Sequence, residues 1–321
     1  MQHYPAVSII GNAKNAGKTT VLNALIGHIK KPVVLTSIGL DGEALDQVTF
    51  LEKPSIHVRQ GDYVLTAKET LTQFTATYKL HFTSSFMTPL GPIVLCEIIT
   101  PGTALVAGPS LVSELKELLA IIQEKVPYQI FIDGAFFRQS FVPLTKACLF
   151  VVGANDSPQM EETIERAFYI YQKLTLPKTQ LLEVSLEPFI TLFSPRGKKV
   201  LPFQTLIGNE KAVFDALDSD TETLYIPQAL NDAFIDRWVQ FYPERQLHLI
   251  VQDGTHIQLK TEQLKHVFKL ASSISVVEPI MVLGVCINPY SPRGYTYPAS
   301  DFKALLSEKL GRNVINVKEV F

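Results

Sequence analysis

The chain is poor in sulfur and shows no excess of either charge. Its three cysteines, Cys96, Cys148 and Cys286, each lie inside an apolar run ("IVLCEI", "ACLFVV", "LGVCIN"). No C-x-x-C pair and no Cys/His ligand spacing occurs, which argues against structural zinc and a disulfide framework and for buried free thiols in a reducing compartment. With 29 basic residues against 31 acidic ones, there is no electrostatic case for nucleic acid or an anionic membrane as partner. No apolar run approaches the roughly 20 residues of a spanning helix. The first residues also lack the basic and apolar segments of a secretory signal. The expectation is a soluble, cytoplasmic protein with neither nucleic-acid nor membrane partners. Internal repeats and low-complexity tracts are missing too, and a length of 321 residues points to at least two domains.

What is present is an alternation of short β-branched runs with amphipathic windows, the pattern of an α/β fold. "AVSII" (6–10) reads as a strand, 18–29 as a helix and "PVVLTS" (32–37) as a second strand. Residues 54–107 read as a strand-rich insertion, with a tight turn at Pro101-Gly102. A helix over 110–125 with Ser110 as N-cap leads to the strand "YQIFID". The strand "ACLFVVGAN" and a helix over 157–174 follow. A hairpin is expected about Asp253-Gly254, then a helix (261–272), the strand "IMVLGVCIN", a helix (300–310) and a last strand "VINV". The expected division is a nucleotide-binding domain over 1–195 and a smaller C-terminal α/β domain over 196–321.

The informative stretch is "SIIGNAKNAGKTTVLNALIG" (8–27), where an apolar run breaks at Gly11 and resumes as a helix after Gly17-Lys18-Thr19. It resembles the phosphate-loop pattern G-x-x-x-x-G-K-[ST], in the strand–loop–helix context the mechanism requires. Loop N–H groups and a helix N-terminus attract phosphate oxygens. Gly11, Asn12, Asn15, Ala16, Gly17, Lys18, Thr19 and Thr20 are therefore the expected nucleotide contacts, with Lys18 on the β- and γ-phosphates and Thr19 on Mg²⁺. Asp133, closing "YQIFID", is the candidate second metal ligand, or else a turn aspartate before Gly134. Asp41, with Glu43 as its neighbour, is a candidate for magnesium or the attacking water. Glu97, Lys14 and Arg138 are weaker candidates, each with an ordinary surface role as the alternative. No N-K-x-D tetrapeptide marks a guanine site, so ATP is favoured and GTP stays open.

"GNAKNAGKTT" resembles the loop of the SIMIBI class of P-loop proteins, in particular the molybdopterin-guanine dinucleotide biosynthesis adaptor. The signature lysine of that class would fall on Ala13, with Lys14 one place later, so a lysine crossing a dimer is not expected, although a dimer stays open. With "TSIGLDGE", "GDYVLTA", "FIDGAFFRQS" and "INPYSPRGYTYPASDF", the chain resembles the small subunit of the lysine 5,6-aminomutase reactivases. That resemblance implies a P-loop NTPase domain and an ATP-hydrolysing accessory chaperone of an adenosylcobalamin-dependent aminomutase. Its partners would be the mutase and a larger mismatch-repair-like ATPase subunit. The D-x-H-x-x-G pattern of a cobalt-ligating histidine is absent, so cobalamin itself would be held by the partner. A small-molecule ligase or kinase of the dethiobiotin-synthetase type is the alternative, with the strand-rich region as its substrate wall. The loop 287–300 carries Tyr290, Tyr295 and Tyr297 around Arg293, which suits either a recognition surface or a proline-stiffened cap on the core.

Overall fold

A computed structural model describes residues 4–38, 55–134, 142–181 and 188–320. In chain order the first strands and helices are β1 (Ala6–Gly11), α1 (Lys18–His28), β2 (Val33–Ser37), β3 (Ile56–Val58), β4 (Tyr63–Ala67), β5 (Thr77–Thr88), β6 (Gly91–Thr100), β7 (Gly102–Ala104), α2 (Val112–Lys125), β8 (Gln129–Asp133), α3 (Val142–Thr145), β9 (Ala147–Gly153) and α4 (Met160–Leu174). There follow β10 (Thr191–Ser194), β11 (Gly197–Val200), α5 (Glu210–Asp215), β12 (Thr223–Ile226), β13 (Leu230–Asn231), α6 (Asp232–Phe241), β14 (His248–Val251), β15 (Ile257–Gln258), α7 (Thr261–Leu270) and β16 (Ser273–Val276). The chain closes with β17 (Met281–Asn288), α8 (Ala299–Leu310), β18 (Ile315–Asn316) and α9 (Val317–Val320).

The chain divides into two compact units, one made of 1–165 with 282–321 and the other of 166–281. This displaces the boundary expected near 195. The reason is that β17 and β18 do not belong to a separate C-terminal domain. They complete a nine-stranded sheet in the order β18-β17-β9-β1-β8-β2-β4-β6-β5, so the segment 166–281 is an insertion into the first unit.

In the first unit β1 pairs in parallel with β8 and with β9, and β2 pairs in parallel with β8 and β4. The β4–β6 and β5–β6 pairs are antiparallel. Central parallel strands are covered on both faces, so they read as continuous apolar runs rather than alternating ones. Val7, Ile9, Val33, Leu35, Phe131 and Val151 pack in one cluster with Val21, Leu22 and Ile26 of α1. Their strand neighbours Ser8, Ile10, Ile130, Ile132, Phe150 and Val152 point to the opposite face and are equally buried. From β1 to β2 the chain steps one way past β8, and from β8 to β9 it steps back across β1. The reversal lies between β1 and β8, and it is outside the carboxyl ends of the strands at such a point that open α/β sheets bind their ligands.

Three local expectations are corrected. Pro101-Gly102 does not close a hairpin: β7 pairs with β3, and Gly102 is needed because a Cβ there would lie 2.5 Å from the Ala76 nitrogen. Ser110 is not the cap of α2, which starts after Leu111, whose N–H donates to the Glu114 carboxylate at 3.3 Å. Asp253-Gly254 makes no hairpin either. In the second unit β12, β14 and β16 are parallel neighbours of a five-stranded sheet, while β15 pairs with β13. Asp253 caps a single tight turn instead, accepting from the Thr255 N–H at 2.7 Å and its hydroxyl at 2.6 Å. The core of this unit gathers Trp238, Phe234, Phe214, Leu249 and Val267.

Candidate functional site

The turn between β1 and α1 is built around backbone conformations that ordinary side chains avoid. Gly17 caps α1 with φ +98°, and Asn15 lies at φ +58°. Left-handed residues within a turn allow successive N–H groups to converge on one point, the geometry of an anion nest. The first turn of α1 holds no acidic residue, and Gly17 offers no side-chain acceptor to its N–H groups. The helix itself thus supplies no side-chain cap or counter-charge to its first N–H groups, which favour an anion. The stem of Lys18 lies beside Gly11, its Cγ 3.4 Å from where a Cβ on Gly11 would stand.

Beside the turn lies the end of β8. Ile9 and Asp133 are register partners on the adjacent parallel strands β1 and β8. The Thr19 hydroxyl, one residue into α1, donates to Asp133 Oδ2 at 3.1 Å. A hydroxyl and a carboxylate side by side are hard oxygen donors of the kind Mg²⁺ takes from proteins, with the rest of its octahedron left to phosphate and water. Among the described residues no group of three or more His, Cys, Asp or Glu could hold a metal alone. A cation at Thr19 and Asp133 thus needs oxygens from its ligand, and the donor set fits a nucleotide-borne Mg²⁺.

The spacing of the turn departs by one residue from G-x-x-x-x-G-K-[ST]. Five residues separate Gly11 from Gly17, and Asn12 stands where the pattern has its first glycine. Asn12 is 1% exposed, and its amide is spent on β9: Oδ1 accepts from the Gly153 N–H at 2.8 Å and Nδ2 donates to the Gly153 carbonyl at 3.3 Å. Its own N–H donates to the Val151 carbonyl at 3.0 Å. Asn12 thus fastens the turn to the sheet rather than facing a phosphate. Ala16, fully buried, lies so close to Gly153 that a Cβ there would come within 2.4 Å of Ala16 Cα.

A second fastening runs through the short turn after β9. Asn155 Nδ2 donates to the Lys14 carbonyl at 2.8 Å, and Asn155 Oδ1 accepts from the Ser291 hydroxyl at 3.0 Å. Asn288, at the end of β17, lies over Gly17, where a Cβ would meet its Nδ2 at 2.8 Å. Tyr295 donates to the Ala154 carbonyl at 2.8 Å. Tyr297 donates to the Ser157 carbonyl, shares a 2.9 Å hydrogen bond with Thr163 and packs edge-on against Phe302. Of the three tyrosines, Tyr297 is the core cap and Tyr290 is the exposed one.

The remaining sequence candidates fall as follows. Lys14 faces solvent, Ala13 beside it is buried, and Thr20 is exposed on α1. Glu97, on β6 next to the edge strand β5, is bound to His81 at 2.8 Å. His57 is exposed on β3, and His256 pairs with Asp253 at 2.9 Å. All three cysteines are free and buried. Burial pushes Cys96 and Cys148 up to about 12 and Cys286 up to about 11, which favours the protonated thiol over the nucleophilic thiolate. Asp41, Glu43 and Arg138 lie outside the described residues. From the sequence, "GAND" (153–156) after an apolar strand reads as a segment that could line the base, and 287–300 as a recognition loop or a cap on the core; the sequence does not reveal that Asn155, Asn288 and Ser291 adjoin the turn 11–19.

No described helix is long and apolar enough to cross a membrane. Comparison with protein-family models, curated proteins and solved structures finds no match to the chain.

Proposed function

We propose that the first unit is a P-loop NTPase domain that holds the phosphates of a Mg-nucleotide at residues 11–19, ATP ahead of GTP. The carrying observation is the 3.1 Å meeting of the Thr19 hydroxyl with the Asp133 carboxylate, beside a helix whose own first turn holds no acidic residue. Loop N–H groups and the α1 terminus would cradle phosphate oxygens, and the Lys18 ammonium would reach those further out. The Thr19 hydroxyl donates a hydrogen bond to Asp133, which would leave its oxygen lone pairs for the cation. Magnesium, when bound, neutralises charge on the phosphate oxygens. What this chain's residues contribute is position and electrostatics.

The resemblance of residues 8–20 and of "INPYSPRGYTYPASDF" to the aminomutase reactivases extends the proposal. On that reading the chain is a nucleotide-dependent accessory chaperone of an adenosylcobalamin-dependent mutase, acting beside a larger ATPase subunit. Calorimetry of the purified chain with Mg-ATP and Mg-GTP tests the nucleotide half. Binding that Lys18→Ala removes supports it, and no heat beyond dilution at millimolar nucleotide overturns it. Turnover tests the other half: slow hydrolysis raised by a protein partner supports the chaperone. Hydrolysis that waits for a small acid or amine would instead place the chain with ligases and kinases.

A further inference from the structure

The segment 288–297 lies more than 130 residues beyond the turn after β9 in the chain, yet it is hydrogen-bonded to the wall of the candidate site. It is a small hairpin in its own right. Tyr290 bridges Thr296, the Ser291 N–H donates to the Tyr295 carbonyl at 3.0 Å, and the Tyr297 N–H donates to the Pro289 carbonyl at 2.9 Å. Gly294, at φ +90°, makes the turn. Ser291 is 8% exposed and Asn155 is 7% exposed, while Tyr290, Pro292, Arg293 and Gly294 at the tip are exposed.

Ser291 is the joint. Its hydroxyl accepts from the Arg293 N–H at 3.2 Å inside the hairpin and donates to Asn155 Oδ1 at 3.0 Å outside it. Asn155 passes the connection to the Lys14 carbonyl within the turn 11–19. Asn288, the first residue of the hairpin, touches the same turn at Gly17. The hairpin therefore meets the turn at two points three residues apart, on either side of Asn15 and Ala16. These bonds give a ligand that fixes the turn a route to the hairpin, and by linkage any such effect would be reciprocal.

We propose that 288–297 is the output element of the site: occupancy of the turn by Mg-nucleotide is transmitted through Asn155 and Ser291 to the exposed tip. Asn155 and Ser291 act as positioning residues. This inference rests on the nucleotide reading above.

Hydrogen exchange of the full chain, with and without Mg-ATP or Mg-GTP at saturation by calorimetry, is the test. Nucleotide is expected to slow exchange at the amides of Ser291, Gly294 and Tyr297. Ser291→Ala is expected to abolish that response and weaken nucleotide binding roughly five- to fiftyfold. If Ser291→Ala does not fold, Asn155→Asp, which keeps an acceptor for Ser291 but removes the donor to the Lys14 carbonyl, carries the same comparison. Nucleotide binding with no change in exchange over 288–297, or undiminished affinity in the variant that folds, overturns the inference and spares the nucleotide reading. A wild-type chain that binds no nucleotide overturns both.

Discussion

The Thr19 hydroxyl and the Asp133 carboxylate meet at 3.1 Å although 114 residues separate them in the chain. Neither side chain is needed there to pack the core: both are half-buried at the open end of the sheet. If the pair holds a cation, its loss should be felt only when the cation is present. Thr19→Ala and Asp133→Asn are each expected to weaken nucleotide binding roughly 10- to 100-fold with Mg²⁺ and little with a chelator, given about 1.5–3 kcal/mol for a bond to a charged group. Lys18→Ala should weaken binding under both conditions. Calorimetry with and without chelator checks this, and equal losses in both buffers for Asp133→Asn would remove the metal role.

Two glycines should respond to alanine with opposite signs. At Gly153 a Cβ would lie 2.4 Å from Ala16 Cα and 2.5 Å from its carbonyl oxygen. Both are backbone, so the turn 11–19 must move. Gly153→Ala is expected to destabilise by about 1–3 kcal/mol through overpacking and to lose nucleotide binding as well. At Gly27, inside α1 and exposed, a Cβ would meet nothing within 4 Å. Gly27→Ala should therefore stabilise by up to about 1 kcal/mol, from helix propensity and a less flexible unfolded chain. Thermal unfolding of both variants checks the signs.

The sequence carried the central strands and their helices because burial on both faces of a parallel sheet leaves unbroken apolar runs. β1, β2, β8, β9 and α1 all fall where periodicity puts them. Pairing partners were not legible. β4 and β17 read alike as short apolar runs, and nothing local says that one lies beside β2 and the other beside β9. The domain boundary failed for that reason, since β17 and β18 complete a sheet begun 270 residues earlier in the chain. The hairpin about Asp253-Gly254 failed because an Asp-Gly pair suits more than one turn. Gly254 is required by a close approach to the Lys173 carbonyl, 1.9 Å from where its Cβ would stand. The nearness of Thr19 and Asp133 was legible from residue type and spacing. The bonds that join Asn155 to Ser291 and to the Lys14 carbonyl were not, because more than 130 residues of chain separate the partners and only folding brings them near.

Lys173 should give the second unit a pH dependence at the alkaline side. Its ammonium is buried and donates to the Ile257 carbonyl at 3.2 Å. Burial pulls its pKa down from 10.5 to about 8, against the attraction of Asp253. The unfolded chain thus holds a proton that the folded chain has lost between pH 8 and 10.5, so this group adds stability as pH rises through that window. Below about pH 8 the buried charge costs on the order of 3 kcal/mol. Denaturant midpoints of wild type minus Lys173→Met, measured from pH 7 to 10.5, are expected to climb with pH. A flat difference would mean that the ammonium stays charged in the folded state.

Asp62 should be the most damaging single carboxylate to remove outside the site. It is fully buried, and four donors converge on it. Oδ1 accepts from the Val33 N–H at 3.0 Å and Arg59 Nη2 at 2.9 Å, and Oδ2 accepts from the Arg59 N–H at 2.9 Å and Nε at 3.1 Å. The bracket fixes the starts of β2 and β4, whose register begins at Val34 and Tyr63. Asp62→Ala leaves the Val33 N–H buried without an acceptor, whereas Arg59, one third exposed, can turn to water. The expected cost is roughly 2–4 kcal/mol. Asp62→Asn should recover less than half of it, because its NH₂ must face donors whichever way the amide is turned. Urea unfolding checks both: the midpoint falls while the slope, which follows the surface exposed, stays unchanged. Wild-type stability in Asp62→Asn would show that only one of the two oxygens matters.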